Sequence, residues 1–135
     1  MRALVDTSAL VALIRSADQY HAQAVATARR YVASGGRYLG TTLVLGELHS
    51  HLLYGRGPEE ARAALANLLD DPAHEWVAVP VELVRNAVKG WLARFRDQGF
   101  SLVDAVSFEV MRRETITHAG GFDRHFEVAG FKLLR

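Results

Sequence analysis

Hydrophobic positions change their period repeatedly along the chain, short apolar runs of strand length alternating with longer stretches of helical amphipathicity. Ala3 to Val5 form the first run, and Thr7-Ser8 follows as a cap for a helix reaching about Arg15. A second helix is expected over Tyr20 to Ala33, stopping at Gly35-Gly36. Arg37 to Thr41 then reads as a strand, and Thr41 or Thr42 opens a helix carrying Leu45, Leu48 and Leu52. Gly55-Arg56-Gly57-Pro58 is a turn, after which Pro58-Glu59-Glu60 starts a helix with proline early and acids near the positive end of its dipole. That helix ends near Asp70-Asp71-Pro72. The pattern continues with a strand over Trp76 to Val79, a helix from Pro80 to about Arg96, and a helix capped by Ser101 and running to about Arg113. Thr115 to Ala119 and Phe131 to Leu134 are the last candidate strands.

Alternation of strand and helix predicts an α/β fold, a three-layer α/β/α sandwich with a central parallel sheet. There is no repeat, low-complexity tract or linker, and 135 residues that are 50% hydrophobic fit one domain spanning residues 1–135. In such sheets ligands bind beyond the carboxyl ends of the strands, near the point where strand order reverses. Asp6 lies at such an end.

Composition excludes several chemistries. With no cysteine there is neither a thiolate metal site nor a cysteine nucleophile, and the absence fits a reducing cytoplasm. Asp6 interrupts the apolar N-terminal stretch, which reads as strand plus helix and not as a signal peptide. No uninterrupted run approaches the roughly 20 apolar residues of a bilayer span, so a soluble, cytoplasmic protein is expected. Sixteen basic residues nearly balance fifteen acidic ones. Setting aside the acids Asp6, Glu47, Asp104 and Asp123 leaves eleven against sixteen. A mildly basic surface around an acidic pocket suits a polyanion, although a mixed solvated surface explains the same count.

Those four acids are the candidate chemistry, and each also has an ordinary reading. Asp6 is placed to cap the helix after the first strand. Glu47, in the apolar stretch TTLVLGELHSHLL, fits an exposed glutamate as well as a cleft-facing one. Asp104 stands three residues after Ser101, the spacing of a capping box with aspartate in place of the usual glutamate. Asp123 lies in GGFDRHF, where a surface turn is expected. Gathered at one end of a sheet, they would repel one another unless divalent metal neutralised them.

In order and local sequence the pieces LVDTSALVAL, GELHSHLL, SLVDAVSFEVMRR and GFDRHFEVAGFKLL resemble the PIN-domain nucleases, in particular the small VapC-type toxins of bacterial toxin–antitoxin pairs. The resemblance runs from Leu4 to Leu134. It implies a PIN-like α/β/α fold with the four acids around one or two Mg²⁺ or Mn²⁺ ions, and a metal-dependent endoribonuclease leaving 5′-phosphate and 3′-hydroxyl ends. It also implies an antitoxin partner and a homodimer. Asp6 and Asp104 lead the expected ligand set, Glu47 joins directly or through water, and Asp123 ranks fourth. Oxygen ligands of this kind suit hard divalent ions, whose bound water attacks phosphorus without any side-chain nucleophile.

Around this set, Ser8 and Ser101 are candidates to orient the carboxylates, with simple helix capping as the other reading. Arg124 and His125 are candidates to face the substrate phosphate. The Gly120-Gly121 pair departs from the continuous apolar strand of the family and is expected to displace Asp123 or loosen its loop. His49-x-His51 makes a poor zinc site, since i and i+2 on a helix do not face each other. Arg29-Arg30 and Arg112-Arg113 fit exposed helix faces, and Trp91, Phe95 and Phe100 fit a core or dimer interface better than a base-stacking platform. Two other functions stay open: a catalytically silent RNA- or protein-binding module, and a metal-dependent phosphohydrolase phosphorylated on Asp6. The latter is disfavoured because Ser8 stands where a DxD phosphatase has its second aspartate.

Overall fold

A computed structural model describes residues 1–135. Five strands, β1 (Arg2–Val5), β2 (Arg37–Thr41), β3 (His74–Val77), β4 (His118–Gly120) and β5 (Lys132–Leu133), pair in the order β3-β2-β1-β4-β5. Every pairing is parallel. The connections are α1 (Thr7–Ile14), α2 (His21–Ala33), α3 (Thr42–Arg56), α4 (Pro58–Asp70), α5 (Val81–Asn86), α6 (Leu102–Glu114) and α7 (His125–Val128). This is the three-layer α/β/α sandwich with a central parallel sheet.

Two cores, one on each face, follow from the two-residue period of the strands. In β1, Leu4 faces a cluster with Leu83, Trp91, Phe100, Val106 and Phe108, drawn from α5, α6 and the segments beside them. Its neighbours Ala3 and Val5 face the opposite cluster, with Leu10, Val44, Leu48 and Leu52 of α1 and α3. Strand β2 repeats the division, Leu39 on the first side and Tyr38 on the second. The chain builds β1, β2 and β3 outward in one direction and then crosses to the other side of β1 for β4 and β5. Strand order therefore reverses at β1, and the crevice between the carboxyl ends of β1 and β4 is where a ligand site is expected.

Boundaries shift where local chemistry overrides the hydrophobic pattern. The third strand lies at His74–Val77 and not Trp76 to Val79, because its ladder is set by β2, with His74 opposite Tyr38 and Val77 opposite Thr41. The strand expected from Thr115 begins only at His118, since Thr115 closes α6 in the left-handed conformation, at φ 56°. The helix expected from Pro80 to Arg96 starts as α5 and widens into a π-helical stretch, Ala87–Leu92, a form that recurs at functional or strained positions. The short α7 within the last segment was not anticipated. Trp91 and Phe100 are core residues, with ring contacts through Phe95, Phe108 and Phe131. Arg112 and Arg113 are held by Glu109, and Arg113 also by Glu82, so these cations are committed to the scaffold.

Candidate metal centre

The crevice at the end of β1 and β4 is a cavity of about 630 Å³ whose lining includes Asp6, Glu47, Asp104 and Asp123 together with Ser8, Ser101 and His125. No lysine or arginine lines it. Glu47 and His51 are exposed, so the cavity opens to solvent at that side.

Asp6 extends β1 by one rung, its N–H donating to the Gly120 carbonyl at 3.0 Å. It occupies the N-cap position of α1, yet its carboxylate makes no capping hydrogen bond. The capping reading therefore fails in geometry, and the side chain is directed to the cavity instead. There it is only 5% exposed. Burial first, and the negative charge of Asp104 next, push its carboxyl up from 3.8 to about 6, with Glu47 adding in the same direction. The Thr7 backbone N–H and the Ser8 hydroxyl oppose this without cancelling it.

Asp104 combines both roles considered for it. Ser101 and Asp104 form a reciprocal capping box, Ser101 N–H donating to Asp104 Oδ2 and Asp104 N–H to Ser101 Oγ, each at 3.0 Å. The same Oδ2 lies 3.0 Å from His125 Nδ1, and the carboxylate remains on the cavity wall. Asp123 Oδ1 accepts the His125 backbone N–H at 2.9 Å and stands 3.4 Å from its ring Nδ1. Asp104, Asp123 and His125 thus offer three ligand atoms that all lie within 4.8 Å of one another. Glu47 approaches from α3 and accepts a hydrogen bond from the Thr7 hydroxyl.

Ser8 links the two halves: its hydroxyl donates to Asp6 Oδ2 at 3.1 Å and accepts the Phe122 N–H at 3.0 Å. The glycine pair explains how that contact is possible. Gly120 completes β4, and a Cβ on Gly121 would stand 3.2 Å from both Asp6 Cβ and Ser8 Oγ. Absence of side chains brings the loop tight against Asp6 and Ser8, so the glycines draw Asp123 into the cavity and do not displace it. Arg124 is the exception among the candidates. Its side chain borders a separate depression, with Arg135 and Glu127, on the far side of Phe122.

Several lining residues carry no site assignment from the sequence: Thr7, Asp18, Gln19, Tyr20 and Phe122, together with His51, set aside there as a poor zinc ligand. Their signal was positional, since Thr7 follows Asp6 directly and Phe122 precedes Asp123. The linker between α1 and α2 carries no motif, and only the fold brings Asp18 to Tyr20 to the crevice. No three-ligand cluster includes His49 or His51; His51 instead lies 2.9 Å from an Arg15 nitrogen.

The donor set fits a hard divalent cation. A buried carboxylate is pressed by two more, in a cavity lined by no lysine or arginine, and oxygen donors predominate. Comparison with known proteins identifies the family. The PIN domain family model matches residues 3–132. The chain is 36% identical over 132 residues to the 23S rRNA-specific endonuclease VapC20 of Mycobacterium tuberculosis, covering 97% of this chain and 96% of that one. The crystal structure of VapC20, described as a sarcin–ricin loop cleaving toxin, superposes with a TM-score of 0.83 at 33% identity, over 97% of this chain and 96% of that chain. VapBC2 of Rickettsia felis, solved bound to a promoter DNA fragment, shares the fold at 13% identity with a TM-score of 0.70, over 98% and 97% of the two chains.

Proposed function

As the chain belongs to the PIN domain family, we propose that it is a metal-dependent endoribonuclease that hydrolyses RNA phosphodiester bonds, the toxin of a toxin–antitoxin pair. The observation that carries the reading is the group of carboxylates around buried Asp6, at the strand-order reversal of the sheet. Kinship to VapC20, itself an rRNA endonuclease and a toxin, supplies the substrate class and the expectation of an antitoxin protein. A cytoplasmic homodimer completes the proposal, and no helix of the protein is long and apolar enough to cross a membrane.

In this reading Asp6 and Asp104 hold Mg²⁺ or Mn²⁺, with Glu47 and Asp123 completing the oxygen set directly or through water. Such an ion, when bound, acidifies a water and stabilises charge on the phosphate and the leaving oxygen. The protein's part is positioning. Ser8 fixes the Asp6 carboxylate, Thr7 fixes Glu47, and Ser101 with His125 fixes Asp104. His125 lines the cavity while bonded to Asp104, where it can meet the phosphate from the edge of the acid cluster. No side chain forms a bond to phosphorus. Phosphorylation on Asp6 is disfavoured because Ser8, and not a second aspartate, stands two residues on and is bonded to Asp6 Oδ2.

Purified protein incubated with structured and single-stranded RNA in Mn²⁺ or Mg²⁺ should give cuts with 5′-phosphate and 3′-hydroxyl ends. Chelation, Asp6→Asn or Asp104→Asn should abolish them. If no RNA is cut in either metal, and the two variants bind Mn²⁺ in calorimetry as the wild type does, the proposal is wrong.

A further inference from the structure

The acidic cavity ends at an aromatic ridge. Tyr20 and Phe122 stack with ring centroids 4.5 Å apart and planes 10° from parallel, and both rings border the cavity that holds the acids. Tyr20 nevertheless remains 41% exposed. Its position is fixed on both sides. Its backbone N–H donates to Asp18 Oδ1 at 2.8 Å, and Phe122 behind it is bonded through its own N–H to Ser8, which holds Asp6. On the other side of the same two rings lies the depression bordered by Arg124, Arg135 and Glu127. Moving outward, a strand would therefore meet carboxylates, then a flat aromatic surface, then guanidinium groups.

That sequence of surfaces matches the parts of a nucleotide. Bases splayed from single-stranded RNA stack on aromatic side chains, and guanidinium groups take phosphates. We propose that Tyr20, backed by Phe122, is a stacking platform for the nucleobase beside the scissile phosphate, and that Arg124 across the ridge receives the next phosphate. The proposal rests on the ribonuclease reading and adds the subsite that reading lacks. It also explains why Arg124 lies outside the acid cavity: next to the metal ligands a guanidinium would compete with the ion, whereas beyond the ridge it contacts the strand one nucleotide away. Because stacking accepts every base, the platform gives grip and register and not sequence preference.

The test uses a single-stranded oligoribonucleotide in which every adenine is replaced by 2-aminopurine, a base whose fluorescence falls when it stacks. Binding and fluorescence are read in Ca²⁺, and cleavage of the same strand is followed separately in Mn²⁺. Wild type should quench the probe. Tyr20→Ala should weaken binding about 5- to 150-fold and relieve the quench, and Tyr20→Trp should restore both. Arg124→Ala should weaken binding with a shallower salt dependence while leaving the quench at saturation intact. Circular dichroism melts establish that each variant is folded, as expected for exposed side chains. If wild type cuts the probe but Tyr20→Ala binds and quenches like wild type, or binds more weakly with its saturated quench unchanged, the platform falls and the ribonuclease reading stands. If wild type binds and quenches but cuts neither the probe nor structured RNA in Mn²⁺ or Mg²⁺, and Asp6→Asn and Asp104→Asn bind Mn²⁺ as wild type does, the ribonuclease reading falls and the platform stands as a binding subsite. If wild type does neither, both fall and the ridge is left to a protein partner.

Discussion

Replacing Asp6 by asparagine should make the metal-free protein more stable while removing its response to divalent metal. The carboxyl is held at about 6 in the folded state against an ordinary 3.8, chiefly by burial and secondarily by Asp104. Each pH unit between the two corresponds to about 1.4 kcal/mol, so ionising Asp6 costs the fold up to about 3 kcal/mol. The sign follows from the direction of the shift. With the folded value raised, the favourable contribution is complete below 3.8, declines as pH rises towards 6, and is absent above it. At pH 7.5 wild type therefore carries the full penalty and Asp6→Asn does not. Allowing for the hydrogen bond that asparagine accepts less well from Ser8, a gain of about 1–3 kcal/mol is expected, or roughly 3–10 °C in melting temperature for a chain of this length. The assay is thermal and urea denaturation of EDTA-treated protein at pH 4, 6 and 7.5, each with and without Mn²⁺. Wild type should lose stability between pH 4 and pH 7.5 relative to the variant and recover it with Mn²⁺, while the variant should show neither change. Equal stability of the two proteins at pH 7.5, or equal stabilisation of both by Mn²⁺, would refute the argument that Asp6 is a strained carboxylate awaiting a cation.

Ser8→Ala removes the hydroxyl that joins Asp6 to Phe122, and Mn²⁺ affinity measured by calorimetry should fall about 10- to 100-fold. Gly121→Ala sets a methyl 3.2 Å from Asp6 Cβ and Ser8 Oγ; RNA cleavage should drop about 10- to 100-fold, with a much smaller change in melting temperature. Glu109→Gln should cost about 1–2 kcal/mol in urea denaturation at pH 7, after discount for the exposure of the two arginines it pairs with. The Glu109 carboxyl is held down at about 2 by Arg112 first, with Arg113 and Trp91 adding to it, so its contribution is present above about 4.5 and lost as pH falls towards 2.

What the sequence made legible was what short-range rules govern. Alternation of apolar runs gave the sheet and its two faces, and the three-residue spacing from Ser101 to Asp104 gave the capping box that the structure contains. Boundaries were lost where a local conformation or a distant partner decided them: the left-handed Thr115 delayed β4, and the register against β2 placed β3. The glycine pair was misjudged for a similar reason. Gly120-Gly121 marks flexibility when read alone, but the neighbour it accommodates is Asp6, more than a hundred residues earlier in the chain. Tyr20 was invisible because nothing within its own linker distinguishes a ring at a crevice from a ring on a surface.

Two buried carboxylates separate scaffold from site more clearly than any motif. Glu109 is 5% exposed, as Asp6 is, yet Glu109 receives hydrogen bonds from Arg112, Arg113 and the Trp91 indole. Asp6 receives a single side-chain hydrogen bond, from Ser8, and has two other carboxylates within electrostatic reach. Burial alone raises both; the donors around Glu109 carry its carboxyl down to about 2, while Asp6, without such donors, is pushed up to about 6. A structural acid is compensated by the chain itself, and so it strengthens the fold as pH rises. An acid left uncompensated weakens the fold over the same range unless something from solution supplies the missing charge. At the carboxyl edge of β1, with no lysine or arginine in the cavity lining, a divalent cation is the partner whose charge suits that deficit.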